Sequence, residues 1–146
     1  MYSHAVRRKD RMKIKMIDYG YVHGPRRAHS NDAGIDVCAQ DYMTIGAHES
    51  MAVGVGFGIE LPVGYAGFIM PRSSLSSKGI TCNLAPIDSG YTGEIHALLT
   101  NTTDEDYVIK DGDRVGQLVV VPIAIVDLTD NEEESRGNNG LGSTGR

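Results

Sequence analysis

Asp88 sits in the run Asn83-Leu84-Ala85-Pro86-Ile87-Asp88-Ser89-Gly90-Tyr91-Thr92-Gly93-Glu94, a carboxylate among turn-forming residues with an aromatic ring three positions on. Such a carboxylate is either a local Asx-turn acceptor or a general base held where water reaches it. Pro71-Arg72-Ser73-Ser74-Leu75-Ser76-Ser77-Lys78-Gly79 puts a guanidinium beside hydroxyls at a candidate helix start. It is either an ordinary capped turn or an anion site, with the guanidinium forked on an oxyanion and hydroxyls and free N–H groups beside it. Arg136-Gly137-Asn138-Asn139-Gly140-Leu141-Gly142-Ser143-Thr144-Gly145 reads as a mobile glycine-rich tail or as a phosphate clamp. Ala33-Gly34-Ile35-Asp36-Val37-Cys38-Ala39 and Gly112-Asp113-Arg114-Val115-Gly116-Gln117-Leu118 repeat the theme, polar side chains among glycines that let backbone approach a ligand closely. Asp113-Arg114 alone reads equally well as a surface turn.

Other chemistries have less support. Gly54, Gly56 and Gly58 make a G-x-G pattern, but strand-like Ile59-Glu60-Leu61-Pro62 follows instead of a helix, which argues for close strand packing over a dinucleotide turn. The chain has no P-loop pattern. Its five histidines are scattered, without zinc-ligand spacing. Cys38 and Cys82 form no C-x-x-C pair and are expected to be free, buried thiols in a reducing compartment. Asn101-Thr102-Thr103 fits a glycosylation sequon, read as accidental without a signal peptide.

These residues need a scaffold, and the pattern around them is all-β. Short segments rich in Val, Ile and Tyr recur between turns served by 18 glycines. Strands are expected over 13–17, 35–39, 51–61, 66–70, 80–82, 94–99, 107–109 and 114–128, the last interrupted by Pro122. In 51–61, Val53, Val55, Phe57 and Ile59 share one face. One helical turn is expected at 74–78, capped by Ser73. Many short strands with Gly/Pro punctuation imply a sandwich or barrel. At 146 residues, 40% hydrophobic and 23% charged, the chain fits one globular domain. No apolar run is long enough to span a membrane, and the N-terminus has no secretory h-region. A net charge of -5 argues against stable nucleic-acid binding. The basic cluster Arg7, Arg8, Lys9, Arg11, Lys13 and Lys15 is read mainly as a solvated tail.

The five clusters, in this order, resemble the five motifs of the trimeric dUTPase (deoxyuridine triphosphate nucleotidohydrolase) family, over about 13–146. Pro71-Arg72-Ser73-Ser74-Leu75 with Lys78-Gly79, and the Gly-Ser-Thr-Gly ending, are the most specific parts. The resemblance implies an all-β distorted jelly roll (β-clip, dUTPase-like), a single domain that assembles as a homotrimer with each active site built from three subunits. It divides the chain into a basic extension (1–12), the β domain (13–130) and a C-terminal arm closing a neighbouring site (131–146). It implies Mg²⁺-dependent hydrolysis of dUTP to dUMP and pyrophosphate, with Asp88 activating water for attack on the α-phosphorus and touching the 3′-OH. Tyr91 would stack on the deoxyribose and exclude a 2′-OH. Asn83, the backbone around Pro86 and Ile87, and nearby His96 would read uracil. Arg72, Ser73, Ser74 and Gln117 would hold phosphates. Arg136, Gly142, Ser143 and Thr144 would clamp the γ-phosphate, and Leu141 would cover the base. Asp36 would meet Mg²⁺ only through water, the ion being held mainly by substrate phosphates. The role implied is to limit uracil in DNA and supply dUMP for thymidylate synthesis. It places the chain in the cytoplasm, or in the nucleus or interior of a host cell if viral, not secreted and not at a membrane. A regulatory protein partner is compatible with it.

The chain departs from the family pattern at three points. Leu141 stands where an aromatic residue is usual, Asn139 where glycine is usual, and the third motif is one residue short between Asn83 and Asp88. Two rival readings stay open: a dCTP deaminase on the same fold, and a non-catalytic module that senses dUTP through the same pocket.

Overall fold

The alternation over 51–61 does bury one face: Val53, Val55, Phe57 and Ile59 are all buried. The run is nonetheless two strands. In the computed structural model, which describes residues 11–130, the chain turns at Gly56, whose φ of +83° suits glycine and few other residues. In chain order the elements are β1 (Lys15–Asp18), β2 (Ile35–Cys38), β3 (Met43–Ile45), β4 (Ser50–Gly54), β5 (Phe57–Glu60), β6 (Tyr65–Met70), α1 (Ser73–Ser76), β7 (Ile80–Asn83), β8 (His96–Asn101), β9 (Tyr107–Ile109) and β10 (Arg114–Pro122).

All pairings are antiparallel. They form four small sheets: β1-β5, β2-β10-β6, β3-β9 and β4-β8-β7. Sequence neighbours are mostly not sheet neighbours, as a jelly roll requires. The sheets enclose one core that includes Val37, Val53, Phe57, Ile80, Leu99, Ile109 and Val115. Burial on this scale stabilises by roughly 1.5–3 kcal/mol per large aliphatic or Phe side chain.

Most expected strands shift at their edges, β3 had no counterpart among them, and three of the changes have a visible cause. The strand expected over 94–99 begins at His96, because Ile95 is taken up elsewhere: its N–H donates to Phe57 O at 2.9 Å and its carbonyl accepts from Val55 N at 3.0 Å. The segment 114–128 ends as a strand at Pro122, after which Ile123 N donates to Gly64 O. The helical turn starts earlier than expected and Ser73 does not cap it. Arg72, in extended backbone, is the N-cap with no side-chain cap bond, and its carbonyl accepts from Leu75 and Ser76. The two cysteines are free, as expected, but half-buried rather than buried. Asn101 is fully buried, which takes it out of reach of glycosylation in the folded chain.

Candidate active site

The connection from β7 to β8 carries Asp88. Its base is pinned by a two-bond bridge between Ile87 and Gly67 of β6, with Ile87 N to Gly67 O at 2.7 Å and Gly67 N to Ile87 O at 3.0 Å. The Ile87 side chain goes into the core. One residue on, the turn closes through main chain alone, Tyr91 N donating to Asp88 O at 3.0 Å. The Asp88 carboxylate therefore does not act as an Asx-turn acceptor. It is exposed and has no hydrogen bond or ion pair with any described residue.

Beside it lies a cavity of about 210 Å³ that gathers Asn83, Pro86, Ile87, Tyr91 and His96, together with Ala85 and Glu94. Five of the residues expected around the base and sugar thus meet in one place, with Asp88 next to Ile87 in the chain; Leu141 lies outside the described residues. One detail differs from expectation. The Ile87 amide is engaged with Gly67 and Pro86 has no N–H, so neither can donate to a base; the Ala85 amide has no partner among the described residues. Tyr91 is half-exposed, and its hydroxyl donates to Glu94 O at 2.6 Å. His96 Nδ1 lies 3.1 Å from the same carbonyl.

A second cavity, about 420 Å³, is lined by Asp36, Arg72, Ser73, Arg114 and Gln117, with the segment around Gly34. Ladder register assembles it. Gln117 of β10 pairs with Asp36 of β2 on one side and with Met70 of β6 on the other, so β10 carries the fourth motif between the first and the second. Gln117 Nε2 donates to Pro71 O at 3.2 Å. The Asp36 carboxylate sits between two guanidiniums, 3.8 Å from Arg72 Nε and 3.6 Å from Arg114 Nη1. Arg114 is the residue that sequence reasoning passed over as a surface turn; the signal was its place in the same cluster as Gln117. Asp113 does serve the turn, accepting from Lys110 N at 2.9 Å. Ser74 lines a smaller neighbouring cavity with Lys78 and Tyr107 instead of the one holding Asp36.

The two cavities share no lining residue. Among the described residues no group of three or more His, Cys, Asp or Glu side chains could cage a metal ion. Of the two carboxylates lining this second cavity, Asp36 faces two arginines and Asp32 faces His29, so a hydrated ion there would have to bring its own anionic ligands, as Mg²⁺ does on phosphates. No helix among the described residues is long and apolar enough to cross a membrane. Arg136, Leu141, Gly142, Ser143 and Thr144 lie outside the described residues.

Comparison with known proteins gives one answer throughout. The dUTPase family model matches residues 20–145. The deoxyuridine 5′-triphosphate nucleotidohydrolase of Paramecium bursaria Chlorella virus 1 is 41% identical over 125 residues, covering 83% of this chain and 89% of its own. That of Zymomonas mobilis is 37% identical over 145 residues, covering 92% and 99%. Among solved structures, the Staphylococcus bacteriophage 80alpha dUTPase with dUpNHpp is 26% identical with a TM-score of 0.75, covering 92% of this chain and 99% of that one. A mutant dUTPase from phage phi11 of S. aureus, whose structure concerns coordination of a structural Mg(II) ion, shares the fold with a TM-score of 0.76 at 24% identity, covering 83% and 97%.

Proposed function

This chain belongs to the dUTPase family, and from that premise we propose that it converts dUTP to dUMP and pyrophosphate, with Asp88 as the base that activates the attacking water. The observation that carries the reading is the state of Asp88: an exposed carboxylate, unengaged with the described residues, on a turn held by main-chain bonds beside a base-sized cavity. A carboxylate left free of local structure can hold a water and take its proton. Such a positioned base contributes roughly 10²–10⁴-fold to rate.

In this reading Tyr91 packs on the deoxyribose, Asn83, the 85–87 backbone and His96 face uracil, and Arg72, Ser73, Ser74 and Gln117 meet phosphate oxygens, with Arg114 added to them. Asp36 holds both arginines in place and reaches Mg²⁺ through water. Mg²⁺, when bound with substrate, supplies charge neutralisation on the phosphates. Arg136, Gly142, Ser143 and Thr144 complete the grip from the arm 131–146, and Leu141 covers the base. Loop closure of that kind excludes water and completes a site.

The separation of the two cavities supports assembly. Neither holds both Asp88's neighbours and the arginines, so a full site calls for the cavity of one subunit to meet that of another, as in a homotrimer. An apolar groove of about 370 Å³ that includes Met12, Ile14, Met16 and Tyr65, and the exposed apolar residues Ile123, Ile125, Val126 and Leu128, supply surface for such contacts. The β domain is then 13–130, with 1–12 a basic extension. Hydrolysis of dUTP would limit uracil in DNA and feed thymidylate synthesis, inside the cell that makes the DNA.

The test is pyrophosphate release from dUTP with Mg²⁺, comparing wild type with D88N. A fall of about 10²–10⁴-fold is expected; equal rates rule the mechanism out. Ammonia released from dCTP would instead identify a deaminase. A regulatory partner is a separate reading, favoured by the description of the phage 80alpha relative as controlling transfer of virulence genes; partner binding that survives D88N would separate it from catalysis.

A further inference from the structure

The glycines at 54, 56 and 58 take no part in the chemistry above, yet they meet the loop that carries it. A Cβ on Gly58 would overlap the carbonyl of Gly93 and come within 3.0 Å of Thr92 O; one on Gly54 would come within 2.6 Å of a Glu94 carboxylate oxygen. The stripe is therefore a seat for the end of the Asp88 loop. Glu94 locks into it: its Oε2 accepts from Gly56 N at 2.9 Å. Tyr19 adds a second tie, its hydroxyl donating to Thr92 O at 2.7 Å.

The other end of Glu94 reaches the substrate side. Its carbonyl takes the Tyr91 hydroxyl at 2.6 Å and faces His96 Nδ1 at 3.1 Å. The Tyr91 ring lies so close to Gly93 that a Cβ there would stand 2.7 Å from its oxygen and 2.9 Å from Cζ. The ring is thus clamped between main chain below and one hydrogen bond at its tip. The rest of the Tyr91 ring is half-exposed.

We propose that Glu94 is the positioning residue for sugar selection: by fixing its own peptide against Gly56 it fixes the Tyr91 ring at the height that admits a 2′-hydrogen and excludes a 2′-hydroxyl. The Glu94 carboxylate is turned to Gly56 and acts on the sugar through Tyr91. The proposal rests on the reading that Tyr91 contacts the deoxyribose. It gives the glycine stripe a function that packing alone does not require. A ring tethered at one end discriminates sharply only while the tether holds, since an ångström-scale misplacement can cost about 10²-fold.

The experiment uses the full chain with Mg²⁺ and measures kcat/KM for dUTP and for UTP in wild type, Y91F, E94A and E94Q, with thermal midpoints alongside. Y91F removes only the tether and E94A removes the anchor of the tether's acceptor. Each is expected to lower the dUTP-to-UTP preference about tenfold, while E94Q, whose amide oxygen still accepts from Gly56, keeps it. A simply destabilising change lowers both substrates together and leaves the ratio in place. If E94A does not fold, Y91F decides alone, because it alters one hydroxyl on a half-exposed ring. An unchanged ratio in Y91F overturns the proposal. A wild type that releases no pyrophosphate from dUTP overturns the underlying functional reading instead, and the two failures are told apart by that control.

Discussion

The Gln117 side chain lies directly over the α-carbon of Gly34: a Cβ at position 34 would overlap its amide oxygen and stand 2.9 Å from its own Cβ. Gly34 precedes β2, and Gln117 is the β10 residue whose amide ties down Pro71. G34A is therefore expected to push Gln117 off Pro71 and loosen the turn that presents Arg72. Steady-state kinetics should show KM for dUTP raised about tenfold, with the fold kept and stability lowered by roughly 1–3 kcal/mol from overpacking. An unaltered KM would mean that the Gln117–Pro71 bond does not position the phosphate contacts.

What the sequence made legible follows from which forces are local. Val53, Val55, Phe57 and Ile59 announce a buried face because side-chain alternation is local to a strand. The break at Gly56 is invisible to that count, since both halves keep the same alternation across the turn. Asp36, Arg72, Asp88 and Gln117 stood out by residue type beside glycine or proline. Arg114 did not, because its partnership with Asp36 depends on β10 lying against β2 with a register shift between Arg114 and Gly116, a long-range fact. The Ser73 cap failed because the helix starts one residue earlier, with Ser73 already helical and Arg72, in extended backbone, at the N-cap. Glu94 was visible only as the last residue of the third cluster, because its partner is a backbone N–H thirty-eight residues away.

Asn101 is the buried polar side chain among the described residues, and every polar atom of it is used. Nδ2 donates to Ile45 O at 3.0 Å and Glu105 O at 2.8 Å, while Oδ1 accepts from Thr103 N at 3.0 Å and Thr103 Oγ1 at 2.8 Å. It ties the end of β8 to the β3 edge and to the loop before β9. N101A leaves buried groups without partners, each costing about 1–3 kcal/mol. Urea unfolding should show a loss of about 2–4 kcal/mol, with kcat per folded molecule unchanged. A midpoint equal to wild type would argue that water replaces the amide without penalty.

Cys38 and Cys82 give a pH-dependent readout. Burial pushes both thiols above their ordinary range; for Cys38 the nearby Arg114 pulls the other way but does not prevail. A raised pKa means less thiolate at a given pH, and thiolate is the reactive form. Iodoacetamide at pH 8 should therefore label the folded chain more slowly than a free cysteine does. The rate should climb as pH passes the usual thiol range, and denaturant should abolish the difference. Labelling at the free-thiol rate in the folded chain would contradict the burial of both groups.

Leu141 stands where the resembled family places an aromatic residue over the base, and it bears directly on affinity. A leucine excludes water from uracil but offers no π-face, and stacking is worth roughly 1–3 kcal/mol per base. On the proposed reading that Leu141 covers the base, L141F should recover only the lower end of that range, a fall in KM for dUTP of about fivefold. The change should fall mainly on KM, since base cover is felt alike in the bound substrate and in the transition state, and uniform binding does not raise kcat. It should also leave thermal stability without ligand unaltered. An L141F chain whose KM equals or exceeds that of wild type would separate position 141 from the base and require another residue of the arm to cover it.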